Sequence, residues 1–268
     1  MSKVDFNKEI IDEIKNFISA NNNKKLKETL KDIHYADIAE LIDNLNIDEA
    51  TYLIKLLKSD TTADALAEID DEKREKILKN LSAKEIAEEL TELDTDDAVD
   101  IISELPEERK ERVISQIEDD KHIEDIRELL TYDENTAGGL MAKELVKVNE
   151  NLSVLKCLNE MRSQAENVTR VHSIYVVDGK NKLKGRLSLK DLITANSKAK
   201  VKDIFIPNVD YVYVNEENEE VARKMSKYDL EAIPVINSKK ELLGRITIDD
   251  IVDVIKDEAE KDYQLAAG

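Results

Sequence analysis

Nine apolar residues recur at intervals of twelve along the first half of the chain: Ile33, Leu45, Leu57, Ile69, Leu81, Leu93, Leu105, Ile117 and Leu129. Twelve residues leave room for a helix of about two turns and a connecting turn. Several of the residues that follow directly, Asn46, Asp70, Ser82, Asp94 and Pro106, are of types that cap or open a helix. Each unit therefore reads as one short helix and its turn. Helices of that length are unstable alone, so the array is expected to wind into a superhelix in which each unit buries its apolar stripe on the next. Aromatics make up only 4% of the chain and there is no Trp, so its cores must be aliphatic.

A second repeat of another kind follows. "IYVVDGKNKLKGRLSLKDLI", residues 174–193, returns as "IPVINSKKELLGRITIDDIV", residues 233–252, at an offset of 59. Runs of period two, rich in Val, Ile and Tyr, alternate there with helical stretches, and each copy reads strand, helix, strand, turn, strand, helix. The first copy carries a longer loop around Ser163 to Val171. A copy of about 60 residues is small for independent stability, so the two are expected to pack on each other about a pseudo-twofold axis. Between the repeats stands "DENTAGGLM", residues 133–141, with two of the six glycines side by side. Gly138 and Gly139 read as a hinge or, equally, as a helix C-cap with a tight turn.

Charge and composition exclude several functions. Sixty acids against 40 bases give a formal charge of −20, which repels nucleic acid and anionic membrane and attracts cations or basic partners. The single cysteine, Cys157, forms no internal disulfide, and no charged-then-apolar leader opens the chain, so a reducing, cytosolic setting is expected. No apolar run approaches the 18 residues of a membrane span. His34, His122 and His172 lie far apart without a partner motif and no glycine-rich phosphate loop is present, so an enzyme is not expected. Asp96 and Asp100, four apart, place two carboxylates on one helical face with Asp97 beside them. Such pairs repel, and a cation would neutralise them. Magnesium fits, since it takes carboxylate oxygens and keeps several waters. "DTDDAVDIISEL" lacks the glycine of an EF-hand, and the few Cys and His exclude a dense zinc site.

"GRLSLKD", residues 185–191, and "GRITIDD", residues 244–250, resemble the end of a CBS motif in two tandem copies. The resemblance implies that a hydroxyl and an acid three residues apart, here Ser188 and Asp191, hold the ribose of an adenine nucleotide such as ATP. The stretch "VHSIY" offers no aromatic other than Tyr175 to stack on the base. The plainer alternative is that Ser188 and Thr247 N-cap the following helices, with Asp191 and Asp250 at the third helical position.

The order of parts, an acidic helical array, "TAGGLM", paired CBS motifs and an acidic helix from Asp249 to Asp262, resembles the cytosolic part of MgtE-type magnesium channels. It implies an α plus α/β chain: a superhelix over 1–132, a Gly-Gly hinge at 133–141, CBS motifs at 142–200 and 201–252, and a connecting helix from 253 to 268. Metal-binding acids carry over to Asp64, Asp96 and Asp100 in the array, to Glu217, Glu219 and Asp229 in the second CBS motif, and to Asp250, Asp253 and Glu258 in the connecting helix. All nine positions keep an acid, whereas one further family acid falls on Lys261. The resemblance thus implies a magnesium-sensing regulatory region on the cytoplasmic side of the cell membrane. There it would gate the transmembrane pore domain of the same full-length chain through Mg2+-bridged closure of acidic domains. It further implies a homodimer formed through the CBS motifs, for which Leu189, Leu192 and Ile193, or Ile248, Ile251 and Val252, offer apolar faces. The competing reading is a nucleotide-sensing CBS module whose helical array is a protein-binding scaffold.

Overall fold

The computed structural model describes residues 6, 8–57, 60–166, 168 and 170–267, apart from the side chains of 60, 257, 258, 260–262 and 264–267. Its contacts divide it into Met1–Leu93 with Asp97–Ile126, and Asp94–Asp96 with Arg127–Gly268. The helices of the first part are α1 (Lys8–Ser19), α2 (Asn23–Leu30), α3 (Tyr35–Asp43), α4 (Ile47–Leu57), α5 (Asp60–Glu68), α6 (Asp71–Lys79), α7 (Ala83–Leu90), α8 (Thr95–Ser103), α9 (Glu107–Ile114) and α10 (Asp120–Leu129).

Eight of the nine periodic residues are buried and Leu57 is half-buried. Only Leu57 and Leu129 lie within helices; the other seven fill the turns. There the amides of Leu45, Leu81 and Leu105 donate to the carbonyls three residues back, at 3.0, 3.1 and 3.0 Å. The repeat thus marks an apolar plug whose own N–H is satisfied by the helix it follows. Asn46 and Glu49 form a reciprocal capping pair, as do Ser82 and Glu85, and Asp70 accepts from the Glu72 amide. Packing corrects the expectation that each unit lies on the next. The helices stack two units on, α3 on α5, α5 on α7, α7 on α9 and α4 on α6, because the helix direction turns at each short connection. Half-buried bases tie units further apart. Lys73 Nζ donates to the carbonyls of Asp43 and Leu45, each at 2.7 Å, and Arg109, 36 residues later, to those of Leu78 and Leu81. Each cation thus meets the orphaned carbonyls of a helix C-terminus.

The second unit holds two small sheets. In the first, β1 (Val146–Asn149) runs parallel to β2 (Ile174–Val177), which pairs antiparallel with β3 (Leu183–Leu187) and through it with β4 (Ile206–Pro207). In the second, β5 (Val212–Tyr213) is parallel to β6 (Ala232–Ile236), which is antiparallel to β7 (Leu242–Thr247). With α11 (Ala137–Leu140) ahead of them, α12 (Val154–Ala165), α13 (Leu189–Thr194), α14 (Asn218–Lys227) and α15 (Ile248–Ala267) complete the expected strand–helix order twice. Part of the longer first-copy loop is taken into α12, which runs to Ala165.

The two copies exchange edge segments. Ile206 and Pro207 follow the first copy's last helix yet pair with β3, while Ala142, ahead of β1, exchanges backbone hydrogen bonds of 2.9 Å with Arg245 of β7. Gly185 and Gly244 permit these approaches. A Cβ at Gly185 would lie 2.1 Å from the Ile206 carbonyl oxygen, and one at Gly244 would lie 2.6 Å from that of Ala142. The copies also join at their turns, where Leu183 N donates to Lys240 O and Leu242 N to Asn181 O, both at 2.9 Å, in the pattern of a pseudo-twofold. Val146, Val148, Cys157, Ile174, Val176 and Leu192 fill the first copy's core, while Tyr175, Val177 and Leu242 pack on the opposite face of β2.

The Gly-Gly pair is required for space rather than for unusual backbone angles. Among the described residues no glycine has positive φ, which rules out a left-handed C-cap at Gly138 or Gly139. A Cβ at Gly138 would lie 2.7 Å from the Tyr132 ring, and one at Gly139 would lie 2.6 Å from the Asp133 carbonyl oxygen. The amides of Ala137 and Gly138 donate to Glu216 O and Val214 O at 2.8 Å, so α11 rests on the loop before α14.

Candidate functional site

The two CBS-like signatures are built alike and used differently. Ser188 precedes α13 with extended backbone but makes no capping bond, and neither its hydroxyl nor the Asp191 carboxylate is hydrogen-bonded to another described side chain. Thr247 is buried: its amide donates to Asp250 Oδ2 at 2.7 Å, and its hydroxyl lies 2.9 Å from the same oxygen and also against Asp249. Of the capping alternative, the second copy thus forms the half in which Asp250 accepts from the Thr247 amide, while Ser188 of the first copy makes no cap. Burial pushes the Asp250 carboxyl up to about 6, and Asp249 adds to this against the opposing bonds from Thr247 and the charge of Arg245.

Tyr175 is only 2% exposed, so the one aromatic of its stretch is closed to a stacked base. Among the described residues its hydroxyl has no hydrogen-bond partner, and burial raises its pKa. His172 Nδ1 is likewise buried and unpartnered; burial, then Arg245 and Arg170, lower the imidazole pKa and favour the neutral ring.

Arg245 gathers the surrounding acids. Its Nη2 donates to Asp94 Oδ2 at 3.0 Å and its Nε to the Glu144 carbonyl, and its side chain is 7% exposed. Glu144 Oε2 accepts from the Thr95 amide at 3.1 Å and hydroxyl at 2.9 Å, while the Lys143 amide donates to Thr95 Oγ1 at 2.9 Å. Burial raises the Asp94 pKa, helped by Glu144 and Asp249 and opposed by Arg245. Asp94 is thus an ion-pair partner, and Glu144 supplies the cap of α8.

The nine acids are spread over several elements. Asp64 is half-buried on α5; on α8, Asp96 is half-buried and Asp100 exposed; burial opposes the raised pKa of Arg74, which Glu104 mainly causes, followed by Asp71 and then Asp100. Glu217 and Glu219 are exposed at the start of α14, where acids complement the helix dipole. Asp229, exposed with φ of 49°, turns the chain after α14. Asp253 pairs with Lys256 at 2.7 Å one turn beyond Asp250. The Glu258 side chain lies outside the described residues, as does that of Lys261. Among the described residues no three or more His, Cys, Asp or Glu side chains are gathered so as to hold a metal ion.

Comparison with known proteins matches residues 33–135 to the MgtE intracellular N domain and residues 137–198 and 201–257 to the CBS domain. A crystal structure of the cytosolic domain of the Mg2+ channel MgtE in complex with ATP superposes with a TM-score of 0.84 at 33% identity, covering 91% of this chain and 99% of that one. The chain belongs to the MgtE family. The soluble part of a magnesium transporter matches with a TM-score of 0.83 at 29% identity over 93% of this chain and 98% of that one. The magnesium transporter MgtE of Thermus thermophilus is 43% identical over 134 residues, which is 50% of this chain and 30% of that protein; that of Enterococcus faecalis is 39% identical over 140 residues, 52% of this chain and 31% of that protein. The aligned part therefore spans about a third of these relatives' length. In this MgtE chain no described helix is long and apolar enough to cross a membrane.

Sequence reasoning missed Arg245, Asp94 and Glu144. The one available signal is that "GR" occurs twice at an offset of 59, with Arg186 exposed in the first copy and Arg245 buried in the second.

Proposed function

We propose that this chain is the magnesium-sensing regulatory region of an MgtE-type transporter, on the cytoplasmic side of the membrane and continuous in the full-length protein with a transmembrane pore domain. The observation that carries the reading is the match to a solved MgtE cytosolic domain over 99% of that domain's length at 33% identity, with N domain and both CBS domains in the same order. In this reading Asp64, Asp96 and Asp100 of the helical region act with Glu217, Glu219, Asp229, Asp250, Asp253 and Glu258, and magnesium ions bridge them. Carboxylates repel when metal is scarce and are drawn together by divalent ions when it is plentiful, so occupancy converts magnesium concentration into a conformational bias. Asp253 must leave Lys256 to serve, a small cost for an exposed pair. The dimer forms through the CBS helices. Leu189 and Ile193 on α13 and Ile248, Val252 and Ile255 on α15 are exposed; Leu192 and Ile251 are fully buried and leave the expected faces, because they pack into their own unit.

Nucleotide binding is the second reading, and it is compatible with the first. The uncommitted Ser188 hydroxyl and Asp191 carboxylate favour it, and a relative's cytosolic domain has been solved with ATP. With Tyr175 buried, sugar and phosphate contacts must carry the affinity. Calorimetry with MgCl2 and with ATP separates the readings. Millimolar magnesium heat that falls in Asp96→Asn/Asp100→Asn supports metal sensing. ATP binding lost in Asp191→Ala, without a magnesium response, leaves only the nucleotide module.

A further inference from the structure

Charge is spread unevenly along this chain. Residues 142–200 carry 12 Lys and Arg against six Asp and Glu, a surplus of +6, so the remainder, with 28 against 54, stands at −26. Part of that surplus is gathered where the turns of the two CBS copies join. Leu183 N donates to Lys240 O and Leu242 N to Asn181 O, both at 2.9 Å, and Asn181 Nδ2 donates to the Leu242 carbonyl at 2.8 Å. These zipped turns bring together Lys180, Lys182 and Lys184 of one copy and Lys239 and Lys240 of the other. The two acids there are committed to the turns themselves. Asp178 accepts from the amides of Lys180 and Lys182 at 2.8 and 3.1 Å and pairs with Lys184 at 3.3 Å, while Glu241 accepts from Asn237 Nδ2 at 2.6 Å. Lys180, Lys239 and Lys240 are exposed and Lys182 is half-buried, and among the described residues none of the four pairs with a carboxylate. Half-buried Tyr211 and Tyr213 of the β5 segment stack edge to face with centroids 5.6 Å apart, and Lys240 is near enough for its charge to act on Tyr213.

We propose that these zipped turns dock on the anionic headgroups of a membrane. The choice of a membrane rests on the place proposed above for the chain, beside the bilayer that holds its pore domain. The net charge of −20 does not forbid such docking. At physiological ionic strength charges are screened beyond about 8 Å, so headgroups sense the lysines they touch rather than distant acids. A long nucleic acid would instead extend past five lysines onto a surface rich in acids. Each lysine near an anionic surface strengthens binding about fivefold, and tyrosine rings suit the boundary between headgroups and water. Weak binding is sufficient for a region tethered to the membrane by its own chain.

Flotation of the whole 268-residue chain with vesicles tests this. One set holds about one-third phosphatidylglycerol in phosphatidylcholine and the other phosphatidylcholine alone, both in EDTA and about 0.1 M KCl, where the screening length is about 10 Å. The chain should float with the anionic vesicles and not with the neutral ones. Lys180→Gln/Lys239→Gln leaves the backbone bonds of the turns in place and should weaken partitioning about 25-fold, fivefold for each lysine. Lys24→Gln/Lys25→Gln, the same charge change at exposed positions of α2, should stay within about twofold of the wild type. The proposal is overturned by no flotation at about 10 mM lipid, by equal flotation with both vesicles, or by wild-type partitioning of Lys180→Gln/Lys239→Gln. It is overturned equally by a labelled single-stranded oligonucleotide that binds more tightly than the vesicles through the same lysines, which would make nucleic acid the partner. Magnesium sensing is read by calorimetry without lipid, so failure of either proposal leaves the other standing.

Discussion

Arg74→Leu should destabilise the helical unit by about 3–5 kcal/mol, because this side chain is 8% exposed and ends in four different partners. Its Nη1 donates to the carbonyls of Ala67 at 2.7 Å and Ile69 at 2.8 Å, and its Nε to Glu104 at 2.9 Å. Two carbonyls that lose their donor cost about 1 kcal/mol each. Glu104 then keeps a charge with no cation beside it, and its other oxygen is already buried and unpartnered. Breaking a fully buried pair costs about 3–5 kcal/mol, and because Glu104 is 23% exposed the lower end applies. Asp71, 86% exposed, adds nothing measurable. Urea unfolding at pH 7 followed by far-UV circular dichroism gives the value. Arg74→Leu/Glu104→Gln should regain about 1 kcal/mol by removing the stranded charge. A single-mutant loss below about 1 kcal/mol, or a double mutant no more stable than the single, would refute the assignment of Arg74 as the buried tie.

Glu85 accepts from the Ser82 amide and pairs with Lys55 at 3.1 Å, and chiefly the Ser82 backbone bond lowers its pKa from 4.5 to about 2. Its folded pKa is depressed, so its contribution is complete above pH 4.5 and lost as pH falls toward 2; Glu85→Gln should flatten that part of the stability–pH curve. Gly185→Ala should lower the melting temperature clearly, since the new methyl meets a backbone oxygen, whereas Gly179→Ala, with nothing within 4 Å, should change it little. Sedimentation should find a dimer at tens of micromolar, and Ile193→Glu, placed on an exposed apolar position, should give monomer; a wild-type monomer refutes the CBS faces as a dimer contact.

Local patterns were legible in the sequence and distant ones were not. The twelve-residue period announced helices, turns and caps at Asn46, Asp70 and Ser82, because each involves neighbours within three residues. It could not tell stacking on the next unit from stacking two units on, since both bury the same stripe. The offset of 59 gave both CBS copies, but not the exchange of Ala142 and Ile206 between sheets, which is a matter of topology. The nine acids were read by family resemblance, and their spacing alone would not have separated them from the other acids on the surface. Arg245 was silent because its partners, Glu144 and Asp94, lie 101 and 151 residues away. Asp94 looked like a helix cap for the same reason, its local context being a cap's, while its carboxylate is claimed from the far end of the chain.

Magnesium binding itself tests the central reading most directly. Titration of the chain with MgCl2 in a calorimeter, against a background of NaCl at matched ionic strength, should reveal saturable binding at about 10⁻⁴ to 10⁻³ M, the range of weak carboxylate sites with exposed ligands. Asp96→Asn/Asp100→Asn and Asp250→Asn/Asp253→Asn should each reduce the number of ions bound. Heat that vanishes in the sodium background, as simple screening would produce, or binding unchanged in both double variants, would contradict magnesium sensing by these acids.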